Sequence, residues 1–478
     1  YAAHEVRLKD IALALGFSQV SVSHEVSPLM KLVGRGDTTV LDAYLSPVLR
    51  RYVDQVAAEV QDTRLMFMQS NGGLTDAWKF QGKDAILSGP AGGVVGMVNT
   101  ARAAGLHKLI GFDMGGTSTD VSHYAGEFER AFETQISGVR IRAPMMRIHT
   151  VAAGGGSILT FDGSRYRVGP ESAAANPGPA CYRRGGPLTV TDCNVMLGTI
   201  QPDHFPQVFG PGANQPLDGA VARAGFAELA ERIGDGRTPE QVADGFLTIA
   251  IENMAKAIKE ISVQRGYDVT EYALCCFGGA GGQHACLVAD SLGIESVFIH
   301  PFAGVLSAYG MGLADTRALR EETIEVRLSE EALSELEIRY RAMENDALRE
   351  LLDQDLQEAA VTYIRGVHVR YEGTDTALPV VSGDLATITQ AFEDSHRQHF
   401  GFADRGRTLV VETITVEAIS AAASVKDEAL QPERRPGPLP IAGQYPVWMN
   451  GARHDTSFFD RQQLCPGDRV EGPAVISE

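Results

Sequence analysis

The stretch GFDMGGTSTD, residues 111–120, places two glycines and three hydroxyl residues between two carboxylates. Glycine lets backbone amides point at a ligand without a side chain in the way, and hydroxyl groups donate to phosphate oxygens. Carboxylates suit the Mg²⁺ that accompanies a polyphosphate, because this ion prefers hard oxygen ligands and keeps several waters. A solvated Gly-Gly hairpin is the alternative. We therefore predict that Asp113 and Asp120 are catalytic and hold Mg²⁺. Phosphate is predicted to be bound by the residues between them, namely Gly115, Gly116, Thr117, Ser118 and Thr119.

A second glycine cluster, FGGAGGQHA at residues 277–285, follows the apolar run YALCCF and precedes a helical pattern. A helix N-terminus can receive a phosphate or the edge of a nucleoside. Four glycines in five positions exceed what entry into a helix needs, whereas Gln283 and His284 could also simply begin the helix. The cluster predicts nucleotide contacts at Gly278, Gly279, Gly281, Gly282 and Gln283.

The order of the helices and strands around these loops predicts an α/β fold with crossover connections between strands. KLIGFD, TDVSHY and EFERAFE predict a β-meander, with the first loop between its first two strands; the lysine and helix of a Walker loop are missing. A long helix is predicted over 239–265, capped by Thr238 and ended by Gly266. Upstream, the patterns predict helices over 5–15 and 39–61, with strands at QVSVSHEV and RLMFMQS.

The composition favours a globular chain without a nucleic-acid partner. With 478 residues and 44 % hydrophobic content, the chain has the length of roughly three domains. Its formal net charge of −19 repels phosphate backbones. No run reaches the ~18 apolar residues of a membrane span, and leader character is lacking, so we expect no membrane partner and a cytoplasmic location. The six cysteines lack C-x-x-C spacing and are expected to be reduced.

Beyond Asp315 the composition changes to a charged helical stretch over 329–358 and strands around 361–371 and 408–419. A Pro-rich linker follows at 430–443, and then a small β module with an Asn450-Gly451 hairpin turn. These shifts predict three units, at 1–318, 319–430 and 431–478.

Together these motifs resemble the actin-like ATPase superfamily, in which two similar subdomains close on ATP and each contributes a phosphate hairpin. The resemblance narrows to the hydantoinase A and 5-oxoprolinase family and covers about residues 15–420. It is carried by LSGPAGGVVG, GFDMGGTSTDVS, TVAAGGGS, VGPESAAANPGPACYRRGGPLTVTD, CFGGAGGQHA and VRYEGTDTAL. It implies an α/β fold: an actin-like (ribonuclease H-like) ATPase domain followed by a smaller α+β C-terminal domain.

The resemblance also implies an activity. DVSHYAGEFERAFE, FPQVFGPGANQPL and YEGTDTAL are more similar to 5-oxoprolinases than to hydantoinases or to acetone and acetophenone carboxylase subunits. Family members of that type use ATP and Mg²⁺ to phosphorylate the lactam of 5-oxo-L-proline, so that water opens it to L-glutamate. A subunit acting on hydantoins, the ATP-binding subunit of a ketone carboxylase and a non-catalytic ATP binder are the alternatives.

The implied partners are a hydantoinase B-type component, as a separate subunit or a fused half, a cyclic amide substrate and further copies in an oligomer. Family members carry a further G-G-T-F-T-D loop near their N-terminus, which this chain does not contain. Because the chain starts at Tyr1 in the middle of a helical pattern, we expect N-terminal sequence beyond it. If that domain is absent from the molecule, we expect weak or no ATPase activity.

Smaller candidates are open to a structural reading. Arg183 and Arg184 could bind an anion or hold a turn. Glu171 and Asp192 are expected to be satisfied loop acceptors rather than catalytic carboxylates. His396 and His399 are expected to be surface histidines, because no third metal ligand is evident. Thr374 and Asp375 are expected to lie in a turn or an interface outside the cleft.

Overall fold

The computed structural model describes residues 2–30, 32–60, 63–136, 138–354, 361–421, 435 and 437–478. Its α-helices are α1 (Ala2–Ala14), α2 (Ser23–Val26), α3 (Leu32–Glu59), α4 (Ser88–Ala103), α5 (Val190–Leu197), α6 (Gly219–Ile233), α7 (Pro239–Ile261), α8 (Ala285–Leu292), α9 (Leu306–Leu313), α10 (Glu330–Leu352) and α11 (Leu385–Phe400).

The β-strands of the same residues are β1 (Met66–Met68), β2 (Leu74–Asp76), β3 (Leu109–Met114), β4 (Thr119–Tyr124), β5 (Arg130–Ala131), β6 (Thr134–Ile136), β7 (Val139–Ile141), β8 (Met145–Met146), β9 (Ile148–Val151), β10 (Ser157–Phe161), β11 (Tyr166–Ser172), β12 (Ala273–Phe277), β13 (Ser296–Phe298), β14 (Thr316–Arg327), β15 (Val361–Tyr371), β16 (Leu378–Val381), β17 (Leu409–Ser420), β18 (Gly443–Met449), β19 (Ala452–Asp460) and β20 (Ala474–Ser477).

A five-stranded sheet carries both glycine loops. Its strand order is β13-β12-β3-β4-β9; β4 is antiparallel to β3 and β9, whereas β12 is parallel to β3 and β13. The carboxyl ends of parallel strands meet at one edge of a sheet, and ligands of α/β proteins bind there. The loop after β3 and the loop after β12 therefore lie side by side, as the α/β prediction requires.

Helix α7 covers one face of this sheet and confirms the prediction for residues 239–265. The Thr238 hydroxyl accepts a hydrogen bond from the Gln241 amide, and the Gln241 side chain accepts one from Thr238 N. Its buried stripe, including Phe246 and Met254, contacts β4 and β9 and shares one hydrophobic core with Phe112 of β3. Each such fully buried side chain contributes about 1.5–3 kcal/mol of hydrophobic free energy. This packing fixes the backbone of β3 up to the loop that follows it.

The opposite face is covered by α4 and α9, which cross at very short distance. A Cβ atom built on Gly310 of α9 would lie 2.0 Å from the carbonyl oxygen of Gly92 and 2.5 Å from the amide nitrogen of Gly96, both in α4. The glycines of the motif GPAGGVVG thus serve helix–helix packing, since only a residue without a side chain fits between the two backbones.

A six-stranded sheet, in the order β1-β2-β14-β17-β15-β16, forms the second layer of strands. It confirms the helix and strands predicted beyond residue 328, except that residues 355–358 of the predicted helix lie outside the described part of the chain. Helix α10 packs on the sheet through Leu336 and Tyr340. Leu74 of β2 pairs in parallel with Thr316 of β14. Strands from the first predicted unit therefore complete a sheet of the second, and the boundaries at 318 and 430 stay predictions.

The C-terminal strands β18, β19 and β20 form the small β module expected from the sequence. Asn450 and Gly451 have φ angles of 51° and 76° and form the tight turn between β18 and β19. Of the predicted Pro-rich linker, residues 430–434 and 436 lie outside the described part of the chain.

Two predicted strands are wrong. QVSVSHEV contains helix α2 instead, because the carboxylate of Glu5 accepts hydrogen bonds from the Ser23 hydroxyl and the His24 amide at its start. EFERAFE contains only the short strand β5 and an isolated bridge from Phe128 to Tyr124 of β4, whereas β9 is the third strand of the meander. Glu129 pairs with His123 and Arg265 and so binds side chains instead of continuing a sheet.

Neither a membrane helix nor a disulfide occurs among the described residues. No helix there combines the length and the apolar content needed to cross a bilayer. All six cysteines are free thiols, as predicted.

A buried ion cluster joins the six-stranded sheet to strand β5. Glu417 of β17 is 4 % exposed and accepts hydrogen bonds from Arg317 at 2.9 Å and from Arg130 at 2.8 Å. Burial would raise the pKa of Glu417, but the two guanidinium groups outweigh burial and hold that pKa below its ordinary value of 4.5. A carboxylate with a lowered pKa in the folded state stabilises the fold above its ordinary pKa and loses this contribution as the pH falls.

Replacement of Glu417 by glutamine is therefore expected to lower the free energy of unfolding by about 3–5 kcal/mol near neutral pH, because Arg130 loses its carboxylate partner and the buried Arg317 keeps only Asp315. The difference from wild type should shrink below pH ~4.5, where the wild-type carboxylate takes up a proton. Urea unfolding across this pH range measures both effects. Glu322→Gln, which breaks an exposed pair with Arg339, is the matched control and should cost less than about 1 kcal/mol. An equal effect of both variants would contradict the assignment.

Candidate functional site

The two carboxylates of the first loop face each other across the β3–β4 hairpin. Asp113 and Asp120 are directly paired residues of the two antiparallel strands. Paired side chains on one face of such strands have Cβ atoms about 5 Å apart. The Thr150 hydroxyl on β9 donates to Asp120 Oδ1 at 2.5 Å. The structure thus brings the two predicted catalytic residues together at the upper end of the sheet.

Both carboxylates are easier to protonate than ordinary aspartates. Burial raises the pKa of Asp113 to about 6, with a further contribution from the negative charge of Asp120. Burial also raises the pKa of Asp120, although the hydrogen bond from Thr150 opposes this. Two desolvated like charges at this distance are unfavourable until a cation compensates them.

This pair fits a magnesium ion. The described residues contain no group of three or more His, Cys, Asp and Glu side chains that could hold a metal. Mg²⁺ does not need such a group, because it is commonly bound by one or two carboxylates together with water and substrate phosphates. Asp113 and Asp120 offer the hard oxygen donors that this mode of binding uses.

The tip of the hairpin, residues 115–118, packs on a third glycine-rich loop, the supporting loop at residues 153–157. The amides of Gly155 and Gly156 donate to the carbonyl oxygens of Gly115 and Gly116 at 3.2 and 2.6 Å. A Cβ atom on Gly154 would lie within 2.8 Å of the Thr117 and Ser118 backbone. Larger residues would therefore not fit in the supporting loop, whose backbone packs directly against the backbone of the tip.

The tip offers an uneven set of donors. Gly116 and Thr117 are exposed, and Ser118 and Gly115 are half-buried. Thr119 is fully buried instead, and its hydroxyl donates to the carbonyl oxygen of Ala153. Thr119 thus secures the hairpin to its supporting loop, and its hydroxyl is not directed at a ligand as the sequence suggested.

The second predicted loop lies against the carboxylate pair. Gly278 has a φ of +81°, and a Cβ atom there would lie 2.4 Å from Asp113 Oδ1. The Ala280 amide donates to the Met114 carbonyl oxygen at 2.9 Å, and a Cβ on Gly281 would lie 2.7 Å from the Cys276 sulfur. Cβ atoms on Gly279 and Gly282 would meet nothing within 4 Å. Two of these glycines are therefore required by packing, whereas the other two leave an open surface.

Gln283 and His284 follow this surface and differ in exposure. Gln283 is half-buried, and its Oε1 accepts a hydrogen bond from Asn194 Nδ2 at 2.8 Å. His284 is fully buried, and burial lowers its pKa to about 4, so the ring is neutral at physiological pH. The structure therefore keeps Gln283 as a ligand candidate and places His284 in the interior.

Substitution of Gly278 by alanine is expected to destabilise the protein by about 1–3 kcal/mol, because the residue needs a positive φ and its Cβ would displace Asp113. Gly279→Ala is the matched control: it should leave the free energy of unfolding within about 0.5 kcal/mol of wild type and weaken only nucleotide binding. Thermal unfolding and calorimetric titration with ATP separate the two effects. Equal stability of both variants would contradict the packing described for Gly278.

The remaining sequence candidates have structural partners. Asp192 is fully buried and accepts hydrogen bonds from the amides of Ala180, Cys181 and Thr189, as expected of a satisfied loop acceptor. Glu171 is exposed on β11.

The two arginines hold loops together. Arg183 donates to Asp218 at 2.6 Å and to the Pro216 carbonyl oxygen, and Arg184 donates to the carbonyl oxygens of Gly210 and Ala175. The structural reading applies to both, because their donors are already used within the fold.

The C-terminal candidates lie far along the chain from the hairpin and are also explained locally. His396 and His399 each contact a backbone carbonyl oxygen through Nδ1. Thr374 caps the turn after β15 through its hydroxyl, and Asp375 is exposed in the same turn. Among the described residues these side chains belong to no group of three or more His, Cys, Asp and Glu that could hold a metal.

Sequence reasoning missed the residues behind the loops. The AGGGS loop at 153–157 was visible as a glycine cluster, but nothing in its pattern shows that it supports the hairpin. Thr191 and Asn194 of α5 contact Gly155 and Gln283, and the sequence did not point to either residue as part of the site. Such contacts arise from tertiary convergence, which has no period in the sequence.

Most of the chain matches two models of known protein domains. Residues 35–320 match the family model described as Hydantoinase/oxoprolinase, and residues 325–478 match the model of the Hydantoinase/oxoprolinase C-terminal domain. The chain is 41 % identical to 5-oxoprolinase 1 of Arabidopsis thaliana, over 100 % of this chain and 39 % of that protein. It thus spans about two fifths of the length of this relative.

Two solved structures share the fold. The crystal structure of the ATP-dependent caprolactamase from Pseudomonas jessenii aligns with a TM-score of 0.85 and 30 % identity, over 99 % of this chain and 71 % of that one. The nucleotide-free structure of acetone carboxylase aligns with a TM-score of 0.74 and 22 % identity, over 100 % of this chain and 71 % of that one.

Proposed function

The chain belongs to the hydantoinase/oxoprolinase family, and from this premise we propose that it is the ATP-binding A component of a 5-oxoprolinase. The observation that carries this proposal is the carboxylate pair Asp113 and Asp120 beside the open glycine surface of Gly279 and Gly282. The identity of 41 % to a 5-oxoprolinase, against 30 % to the caprolactamase, favours 5-oxo-L-proline over a larger lactam.

In this proposal the hairpin tip and the glycine loop divide the nucleotide between them. The exposed backbone of Gly116 and the hydroxyls of Thr117 and Ser118 hold phosphate oxygens, while Gly279, Gly282 and Gln283 contact the nucleoside. Phosphoryl transfer depends mostly on positioning and on compensation of charge, which backbone amides and hydroxyls supply. Asp113 and Asp120 would hold Mg²⁺, which neutralises phosphate charge when bound.

The reaction requires ATP because the lactam is stabilised by amide resonance. The γ-phosphoryl group is transferred to the lactam oxygen, which makes the carbonyl carbon reactive toward water. Water then adds to this carbon, the ring C–N bond breaks, phosphate leaves, and the products are L-glutamate, ADP and phosphate. We assign ring opening to a hydantoinase B-type partner, as the resemblance to the 5-oxoprolinase family implies.

The decisive experiment assays the full-length protein together with its B-type partner. We expect ADP release that depends on 5-oxo-L-proline and forms one L-glutamate per ADP. ADP release with caprolactam, hydantoin or acetone, but not with 5-oxo-L-proline, would reassign the substrate. Tight ATP binding without turnover of any of these compounds would favour a non-catalytic ATP binder.

A further inference from the structure

Helix α5 contacts two loops of the site: the supporting loop at residues 153–157 and the glycine loop that ends at Gln283. At its first turn, the Thr191 amide and hydroxyl both donate to the Gly155 carbonyl oxygen, at 2.8 and 2.9 Å. Gly155 belongs to the loop that supports the hairpin tip. Less than one turn later, Asn194 Nδ2 donates to Gln283 Oε1 at 2.8 Å. One short helix therefore sets the spacing between the two halves of the site.

The contact with Asn194 decides which end of the Gln283 amide is free. Because Oε1 already accepts a hydrogen bond, the NH₂ group is the end left over, and no described residue accepts a hydrogen bond from it. A half-buried amide donor beside the open surface of Gly279 and Gly282 is suited to an acceptor atom of a ligand.

The orientation of Asn194 itself is also determined. The residue is 1 % exposed, and its Nδ2 lies 3.3 Å from His284 Nε2. Burial keeps His284 neutral, and in the tautomer with its ring hydrogen on Nδ1 the Nε2 atom accepts a hydrogen bond from Asn194, while Nδ1 has no partner among the described residues. The NH₂ group of Asn194 thus faces both Gln283 Oε1 and His284 Nε2. The Thr199 hydroxyl lies nearer the Asn194 backbone carbonyl oxygen, at 3.1 Å, than its Oδ1, at 3.3 Å.

We propose that Asn194 is a positioning residue for the nucleotide: it holds Gln283 so that the Gln283 NH₂ group donates to a ring nitrogen or ribose oxygen of ATP. This inference rests on the proposed ATP-binding function. It adds that Asn194 does not touch the ligand and acts on binding only through Gln283. A purely structural asparagine would instead affect stability alone.

The test compares Asn194→Leu, Gln283→Met and the double variant in the full-length protein. We expect each single variant to raise the Kd for ATP with Mg²⁺ about 10-fold, since a lost hydrogen bond to a buried group is worth about one factor of ten. In the double variant the second change should add less than about 2-fold, because both remove the same contact. Isothermal titration calorimetry measures the three constants.

Thr199→Val is the matched control, because it removes a hydrogen bond to Asn194 but leaves the contact with Gln283 in place; its Kd should stay within about 2-fold of wild type. Multiplicative effects of the two single changes, or an unchanged Kd in Gln283→Met, would overturn the inference. Gln283→Met alters a half-buried residue, so it remains a test even if Asn194→Leu fails to fold.

These outcomes are independent of the lactam. If the wild-type protein does not turn over 5-oxo-L-proline but the two variants weaken ATP binding non-additively, the proposed function fails and the role of Asn194 stands. If the wild-type protein with Mg²⁺ does not bind ATP, the inference is overturned together with the nucleotide site.

Discussion

Replacing Asp113 by asparagine is expected to abolish magnesium-dependent ATP binding and, at the same time, to stabilise the ligand-free protein. Both effects have one cause. Asp113 is paired across the hairpin with Asp120, and burial together with this neighbour raises its pKa to about 6. The ionised pair is useful only when a cation is bound, and it opposes folding when no cation is present.

The sign of the pH dependence follows from the raised pKa. The ordinary value is 3.8, so an ionised Asp113 disfavours the folded state progressively between pH ~4 and ~6, and by a constant amount above that. Asparagine removes this unfavourable contribution. Since the side chain keeps some solvent contact, we expect Asp113→Asn to raise the free energy of unfolding by about 1–3 kcal/mol at pH 8 and by almost nothing at pH 4.

Calorimetric titration with ATP and Mg²⁺ and urea unfolding at pH 4 and pH 8 check the two halves of this prediction. We expect ATP binding to weaken by a factor of at least about 100, as for removal of a charged metal ligand. Asp290→Asn, an exposed change on α8, is the control and should alter neither quantity. Unchanged ATP binding in Asp113→Asn would rule out the assignment of the hairpin to phosphate and metal.

The second large effect is expected where α4 crosses α9. Gly310→Ala should lower the free energy of unfolding by about 3 kcal/mol or more, because the new methyl group would lie 2.0 Å from the Gly92 carbonyl oxygen. The nearest neighbours are backbone atoms, so no side chain can rotate away to make room. The two helices must separate, and the sheet face beneath them loses part of its cover.

Gly312→Ala in the same helix is the matched control. A Cβ atom at Gly312 would meet nothing within 4 Å, so this change should be neutral or stabilise α9 by up to about 1 kcal/mol. Thermal and urea unfolding of both variants provide the comparison. Similar stabilities of Gly310→Ala and Gly312→Ala would show that the helices are not in the close contact described.

The local parts of the fold were predictable because their signals lie within a few residues of each other. The Thr238 cap and Pro239 define the start of α7, and the Asn450-Gly451 turn defines a hairpin. The same holds for the loop between β3 and β4, where glycines and carboxylates are contiguous. For these elements the sequence pattern and the structure agree to within a few residues.

The remaining parts depend on contacts between distant segments. The sequence did not show that β9, and not EFERAFE, is the third strand. This depends on an ion pair between Glu129 and Arg265, which are 136 residues apart in the chain. The sequence also did not show that Asn194 orients Gln283. Register and convergence of this kind are decided by tertiary packing, which overrides local pattern.

The pairing of Leu74 with Thr316 also affects how the chain is made. During synthesis β2 leaves the ribosome long before β14, because residues 77–315 lie between the two strands in the chain. Until then β2 presents an unpaired edge, the kind of surface to which other nascent chains add. The pairing of β14 with β2 therefore closes, late in synthesis, an edge at which misassembly can begin.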